Sequence, residues 1–105
     1  MTDDIPHWIP SAARVAAAQL TEFHAFARRC GAPAGDYSSL WQWSVDEPAA
    51  FWSAIFDFAG VIADRGPGPV LRNGERMPGA TWFEDTRLNF AENLLRGTGS
   101  GPAII

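Results

Sequence analysis

Two adjacent carboxylate pairs beyond the N-terminal Asp3-Asp4, two histidines and one cysteine are side chains here whose types catalysis or metal binding uses. The pairs are Asp46-Glu47 and Glu84-Asp85. General acid and base groups must oppose one another across a substrate, and neighbours in sequence do not; helix capping is the expected role of both pairs. His7 and His24 stand far apart, and neither has a nitrogen, sulfur or carboxylate partner at metal-ligand spacing. His24, beside Phe23 and Phe26, reads as a surface or half-buried helix residue. Cys30 falls at the expected C-terminal end of a helix, the wrong end of the dipole for a thiolate although Arg28 and Arg29 are near, so it reads as a small buried hydrophobe.

Trp41 and Trp43 would share one face of a strand and could stack on a sugar or base. On a helix they diverge by about 200° and serve packing instead. Gly97-Thr98-Gly99-Ser100-Gly101 invites comparison with a phosphate loop, yet no Lys-Ser/Thr follows and no strand precedes, which leaves a linker. Asn89 and Asn93, one helical turn apart, can hydrogen-bond neighbouring backbone. No catalytic, cofactor-binding or metal-ligating residue is assigned.

The elements that would hold these residues are mostly helical. Thr2–Pro10 is an extended lead-in, with Pro6 and Pro10 blocking regular hydrogen bonding. Ser11 caps a long helix, Ala12 to Cys30, with the stripe Val15, Leu20, Phe23, Phe26 inward and Gly31 as C-cap. Asp36 caps a second helix, Tyr37 to Ser44. Asp46 caps a third, with Pro48 in its first turn, Phe51, Trp52, Ile55, Phe56 and Ala59 inward, and Gly60 at its end. Past Arg65-Gly66-Pro67-Gly68-Pro69 no helix continues. Val70-Leu71, Asn73-Gly74 and Arg76-Met77 suggest a hairpin around a type I′ turn, and Trp82-Phe83 extends the irregular stretch. Thr86 or Asp85 caps a last helix, Arg87 to Leu95, ended by Gly97. Pro102-Ala103-Ile104-Ile105 looks like the start of a strand whose sheet is missing. The division expected is 1–10 lead-in, 11–96 domain, and 97–105 linker with a truncated strand.

Composition narrows the class. The 105 residues are 47% hydrophobic and 19% charged, as in a globular protein, with five Trp and seven Phe. Burying one such ring contributes roughly 1.5–3 kcal/mol. A small interior has limited room, so some rings are candidates for a docking face. Net charge is -4 with no cationic run, which argues against nucleic acid. A single cysteine points to a reducing compartment. No stretch reaches the ~20 apolar residues of a membrane span, and Met1-Thr2-Asp3-Asp4 begins acidic, unlike a secretory signal. A cytoplasmic protein is expected.

Two blocks carry a resemblance. Leu40-Trp41-Gln42-Trp43-Ser44-Val45-Asp46-Glu47-Pro48-Ala49-Ala50-Phe51-Trp52 is followed by Met77-Pro78-Gly79-Ala80-Thr81-Trp82-Phe83 and Leu88-Asn89-Phe90-Ala91-Glu92-Asn93-Leu94-Leu95. Together they resemble the N-terminal segment of the acetyl-CoA synthetase group of adenylate-forming enzymes, and Asn93-Leu94-Leu95-Arg96 looks most like the acetoacetyl-CoA synthetase branch. The resemblance covers roughly Tyr37 to Ile105. It implies a mainly α fold with a small β-hairpin, an accessory segment of an α/β adenylate-forming ligase cut at the first strand of the catalytic domain. The implied parent reaction joins acetoacetate to CoA through an acyl-adenylate, using ATP, Mg and CoA. The family's Ser/Thr/Gly-rich nucleotide loop, its ribose-binding acidic residue and its C-terminal lysine have no counterpart here, so no functional residue is carried over. The implied role is packing against a catalytic adenylation domain, in cis or in trans. A free-standing helical interaction module, or a subunit completing a separately encoded adenylation domain, are the competing readings.

Overall fold

The computed structural model describes residues 4–97, 99–102, 104 and 105, which form five helices and one two-stranded sheet. They fall into two compact units, Met1–Ala54 and Ile55–Ile105.

In the first unit, residues 4–10 form neither helix nor strand; Met1 to Asp3 lie outside the described residues. The Arg14 N–H donates to Ser11 Oγ at 3.2 Å, so Ser11 caps as expected. The long helix is broken in two, α1 (Ala12–Ala16) and α2 (Gln19–Arg29). Ala18 is extended, with ψ 141°. No glycine or proline marks the break. The Thr21 hydroxyl donates to the Val15 carbonyl at 2.5 Å, taking the acceptor that a continuous helix would offer to residue 19. The break also splits the apolar stripe: Phe23 is buried with Ala27, whereas Val15 and Leu20 are exposed. At its far end α2 closes in a Schellman motif: Gly31, at φ 105°, donates to Arg28, and Ala32 donates to Ala27. Cys30, expected to be buried, is exposed in this turn.

α3 (Tyr37–Asp46) starts at Asp36, which accepts from the Ser39 N–H at 3.1 Å and the Ser39 hydroxyl at 3.2 Å. It runs two residues past the expected end, so Asp46 closes this helix instead of capping the next. Its Oδ1 accepts from Gln42 Nε2 at 2.9 Å. Glu47 alone joins α3 to α4 (Pro48–Phe58): its N–H donates to Trp43 at 2.8 Å and its carbonyl accepts from Phe51 at 2.9 Å. Pro48 occupies the first helical position, where its missing N–H costs nothing.

Phe51 organises the core of this unit. Its ring meets Phe23 edge-on at 5.8 Å, Trp43 at 6.0 Å and Trp52 at 5.3 Å. Phe23, Ala27, Ala32, Leu40, Trp43 and Ala54 are the buried residues. Trp52 was expected inward but is 44% exposed, because Ala54, three residues after Phe51, continues the inward stripe and Trp52 is turned about 100° from it.

In the second unit α4 ends in another Schellman motif. Gly60, at φ 64°, donates to Asp57, and Val61 donates to Phe56. β1 (Leu71–Arg72) pairs antiparallel with β2 (Thr81–Trp82), Leu71 opposite Trp82 and Arg72 opposite Thr81. The expected turn at Asn73-Gly74 does not join these strands. A type I′ turn needs positive φ at both central residues; Asn73 has it, at 56°, and Gly74 does not. Arg76 N–H instead returns to the Asn73 carbonyl at 3.0 Å inside a loop over 73–80, and Trp82 belongs to the partner strand.

The last helix, α5 (Phe90–Leu94), begins later than expected. Arg87 exchanges two backbone hydrogen bonds with Asp64, at 2.9 and 2.8 Å, which holds it extended. Asn89 takes the cap, accepting from Glu92 N–H at 3.1 Å, while the Thr86 hydroxyl donates to the Arg65 carbonyl at 2.9 Å. Thr98 and Ala103 lie outside the described residues, so the linker and strand start expected at 97–105 are only partly covered. Ile104 and Ile105 are exposed and outside any strand.

Candidate docking surface

The residues with chemical potential do not converge. Asp46 and Glu47 line an open depression of about 540 Å³ with Pro33, Ser38, Ser39, Gln42 and Trp43. Glu84 is committed to Arg72, whose Nε and Nη2 both donate to Glu84 Oε1, at 2.7 and 2.5 Å. That hydrogen bond, with the charge of the carboxylate, raises the Arg72 pKa. Asp85 lies over Gly66 and Gly68, where a Cβ on either would collide with it. Of the two carboxylate pairs, Glu47 is the C-cap of α3 through its backbone N–H, while the side chains that cap helix N-termini are those of Ser11, Asp36 and Asn89. Ser39's N–H and hydroxyl hold the Asp36 carboxylate below its ordinary pKa.

His24 is half-buried, as expected, and its Nε2 has no hydrogen-bond partner among the described residues. His7 is exposed. Trp43 is 7% exposed and Trp41 53%, the divergence that a helix imposes. Among the described residues no three His, Cys, Asp or Glu side chains gather around a common point, and no helix is long and apolar enough to cross a membrane.

Sequence reasoning passed over a set of long-range polar grips in the second unit. Asn93 Oδ1 accepts from the Ile62 N–H at 2.8 Å while its Nδ2 donates to the Ile62 carbonyl at 2.9 Å and to Asn89 at 3.0 Å. Arg96 donates to the carbonyls of Gly60 and Ala59 at 2.5 and 2.9 Å, capping the C-terminus of α4. Arg65 lies 5.2 Å from the Phe56 ring and 5.7 Å from Phe83, two rings stacked at 5.2 Å, and pairs with Asp57 at 3.5 Å. Asn93 was legible as a backbone binder from its spacing to Asn89. No local pattern announces Arg65 or Arg96. Arg65, Arg72 and Arg96 are thus engaged with rings, a carboxylate and helix carbonyls respectively.

What the second unit presents is apolar surface. None of its described residues is buried. Phe90 is 74% and Leu94 68% exposed, and Leu88 and Leu95 beside them are exposed as well.

A mainly helical fold with a small two-stranded antiparallel sheet is consistent with an N-terminal accessory segment of an adenylate-forming ligase. The profile of the family described as acetyl-coenzyme A synthetase N-terminus matches residues 37–94, and the chain belongs to this family. It is 42% identical over 106 residues to the acetoacetyl-coenzyme A synthetase of Rhizobium meliloti (strain 1021), covering 100% of this chain and 16% of that protein. It is 37% identical over 68 residues to the acetoacetyl-CoA synthetase of Rattus norvegicus, covering 64% of this chain and 10% of that protein. The Xenopus tropicalis acetoacetyl-CoA synthetase is 31% identical over 91 residues, 85% of this chain and 13% of its own length. The chain thus spans a sixth or less of these relatives. No solved structure matches it.

Proposed function

We propose that this chain is the non-catalytic N-terminal packing domain of an acetoacetate–CoA ligase-like enzyme. In the parent reaction ATP, acetoacetate and CoA give acetoacetyl-CoA, AMP and diphosphate; this chain holds neither the ATP site nor any residue of the chemistry. In this reading residues 11–96 act as one accessory domain, with 1–10 as lead-in and 97–105 as linker. Its partner is the catalytic adenylation domain, in cis or in trans, in the cytoplasm. The observation that carries the reading is identity along the whole chain to the Rhizobium meliloti synthetase at 42%. The outward apolar residues of the second unit supply the physical counterpart.

The test is complementation. The Rhizobium meliloti synthetase, expressed without its matching segment, is mixed or co-expressed with this chain, and acetoacetate-dependent ATP–pyrophosphate exchange is measured. This chain alone gives no exchange; together the two polypeptides recover it. Failure of the wild-type chain to bind or rescue the shortened enzyme overturns the reading.

A further inference from the structure

We infer that the ridge of Phe90 and Leu94 on α5, flanked by Leu88 and Leu95, is the surface that seats this chain on the remaining polypeptide of the ligase. The inference rests on the packing reading above and adds which residues make the contact and what chemistry they meet.

Phe90 and Leu94 are four residues apart in α5, so their side chains stand one above the other on a single face. Both are largely exposed. A five-residue helix is far too short to persist by propensity alone. This one is fixed from beside the ridge: Asn93 holds Ile62 by two hydrogen bonds, and Arg96 grips the α4 carbonyls of Ala59 and Gly60. The polar grips therefore define the direction of the ridge without covering it.

The occupant follows from three observations. The second unit buries none of its described residues, so it offers the ridge no cover of its own. The family match runs through α5 to residue 94, so Leu88, Phe90 and Leu94 belong to the segment shared with that family. This chain spans 16% of the Rhizobium meliloti synthetase, and the other 84% is the polypeptide beside which the segment occurs there. None of the four ridge residues is charged. Glu92, two residues from both Phe90 and Leu94, projects away from their face. The complementary face is accordingly apolar opposite Phe90 and Leu94, while at the Leu88 edge Asp64, Arg87 and Glu92 line the same depression as Leu88.

The experiment measures binding of this chain to the Rhizobium meliloti synthetase lacking its matching segment, by titration calorimetry. Phe90→Ser and Leu94→Ser are each expected to weaken association about ten- to hundredfold, the loss for uncovering one large apolar side chain. Val45→Ser, at an exposed position of the first unit, is expected to leave it within about threefold, as a surface change away from the contact does. Amide-exchange protection at Ile62 reports whether α5 stays seated. Should Leu94→Ser lose that protection, Phe90→Ser, which precedes the Asn93 grip, decides. Wild-type binding that neither ridge variant weakens, or that Val45→Ser weakens equally, overturns the inference while the packing reading stands. A self-dimer dissolved by Leu94→Ser, with binding to the shortened synthetase intact, overturns it in favour of a second copy. Absence of wild-type binding removes the packing reading and this inference with it.

Discussion

Asn93 and Ile62 are thirty-one residues apart, yet the Asn93 amide accepts from the N–H and donates to the C=O of that one residue. The side chain thus imitates a neighbouring strand. Replacing Asn93 with Ala leaves the Ile62 peptide to water and removes the anchor of α5. Each such bond is worth about 1 kcal/mol net, so the expected result is local: faster amide exchange at Ile62 and Asn93 with little change in the first unit. Gln, one methylene longer, should restore the protection only in part.

The three tryptophans around the α3–α4 corner should separate sharply. Trp43→Ala removes a buried ring that meets Phe51 and should cost about 3–5 kcal/mol in chemical denaturation. Trp41→Ala, on the opposite side of α3, should stay within about 0.5 kcal/mol. Trp52→Ala falls between, since that ring touches Phe51 but is nearly half exposed.

Acid stability should carry a signature of Asp36. Its carboxylate accepts from the Ser39 N–H and hydroxyl, which lowers its pKa in the folded chain. A depressed folded pKa contributes stability that is whole above the ordinary carboxylate value, about 3.9, and is lost as pH falls through the lower folded value. Asn at position 36 still caps but does not titrate. Melting temperature plotted between pH 6 and pH 2, round values that bracket that range, should fall more steeply for wild type than for Asp36→Asn. Parallel curves would remove Asp36 from the acid response.

Thr21 is expected to hold the break between α1 and α2. Thr21→Val keeps shape but cannot donate to the Val15 carbonyl. The helical circular dichroism signal should rise by the equivalent of a few residues, as Ala17 and Ala18 are strong helix formers released from their competitor. An unchanged spectrum would place the cause of the break elsewhere.

These cases also separate what was legible in the sequence from what was not. Ser11, Gly31, Asp36, Pro48 and Gly60 act within a few residues of themselves, and each does what its type and position imply. The start of α5 depends on Arg87 being held by Asp64, and the pairing of β1 on a loop that Asn73-Gly74 does not close. Those decisions are made by partners far along the chain and leave no local mark. The apolar excess was readable from composition. Which side chains it would leave outside was not, because an inward Ala54 and an outward Trp52 reverse the order that size alone suggests.

The single-residue corner at Glu47 has an evolutionary consequence. With no slack between α3 and α4, one inserted residue would turn every following position of α4 by about 100° and carry Phe51 away from Phe23 and Trp43. A length change within 73–80 carries no helix phase with it, and that loop has Met77 almost wholly in solvent. Homologous segments should therefore keep the corner invariant in length and gather their insertions and deletions at the loop.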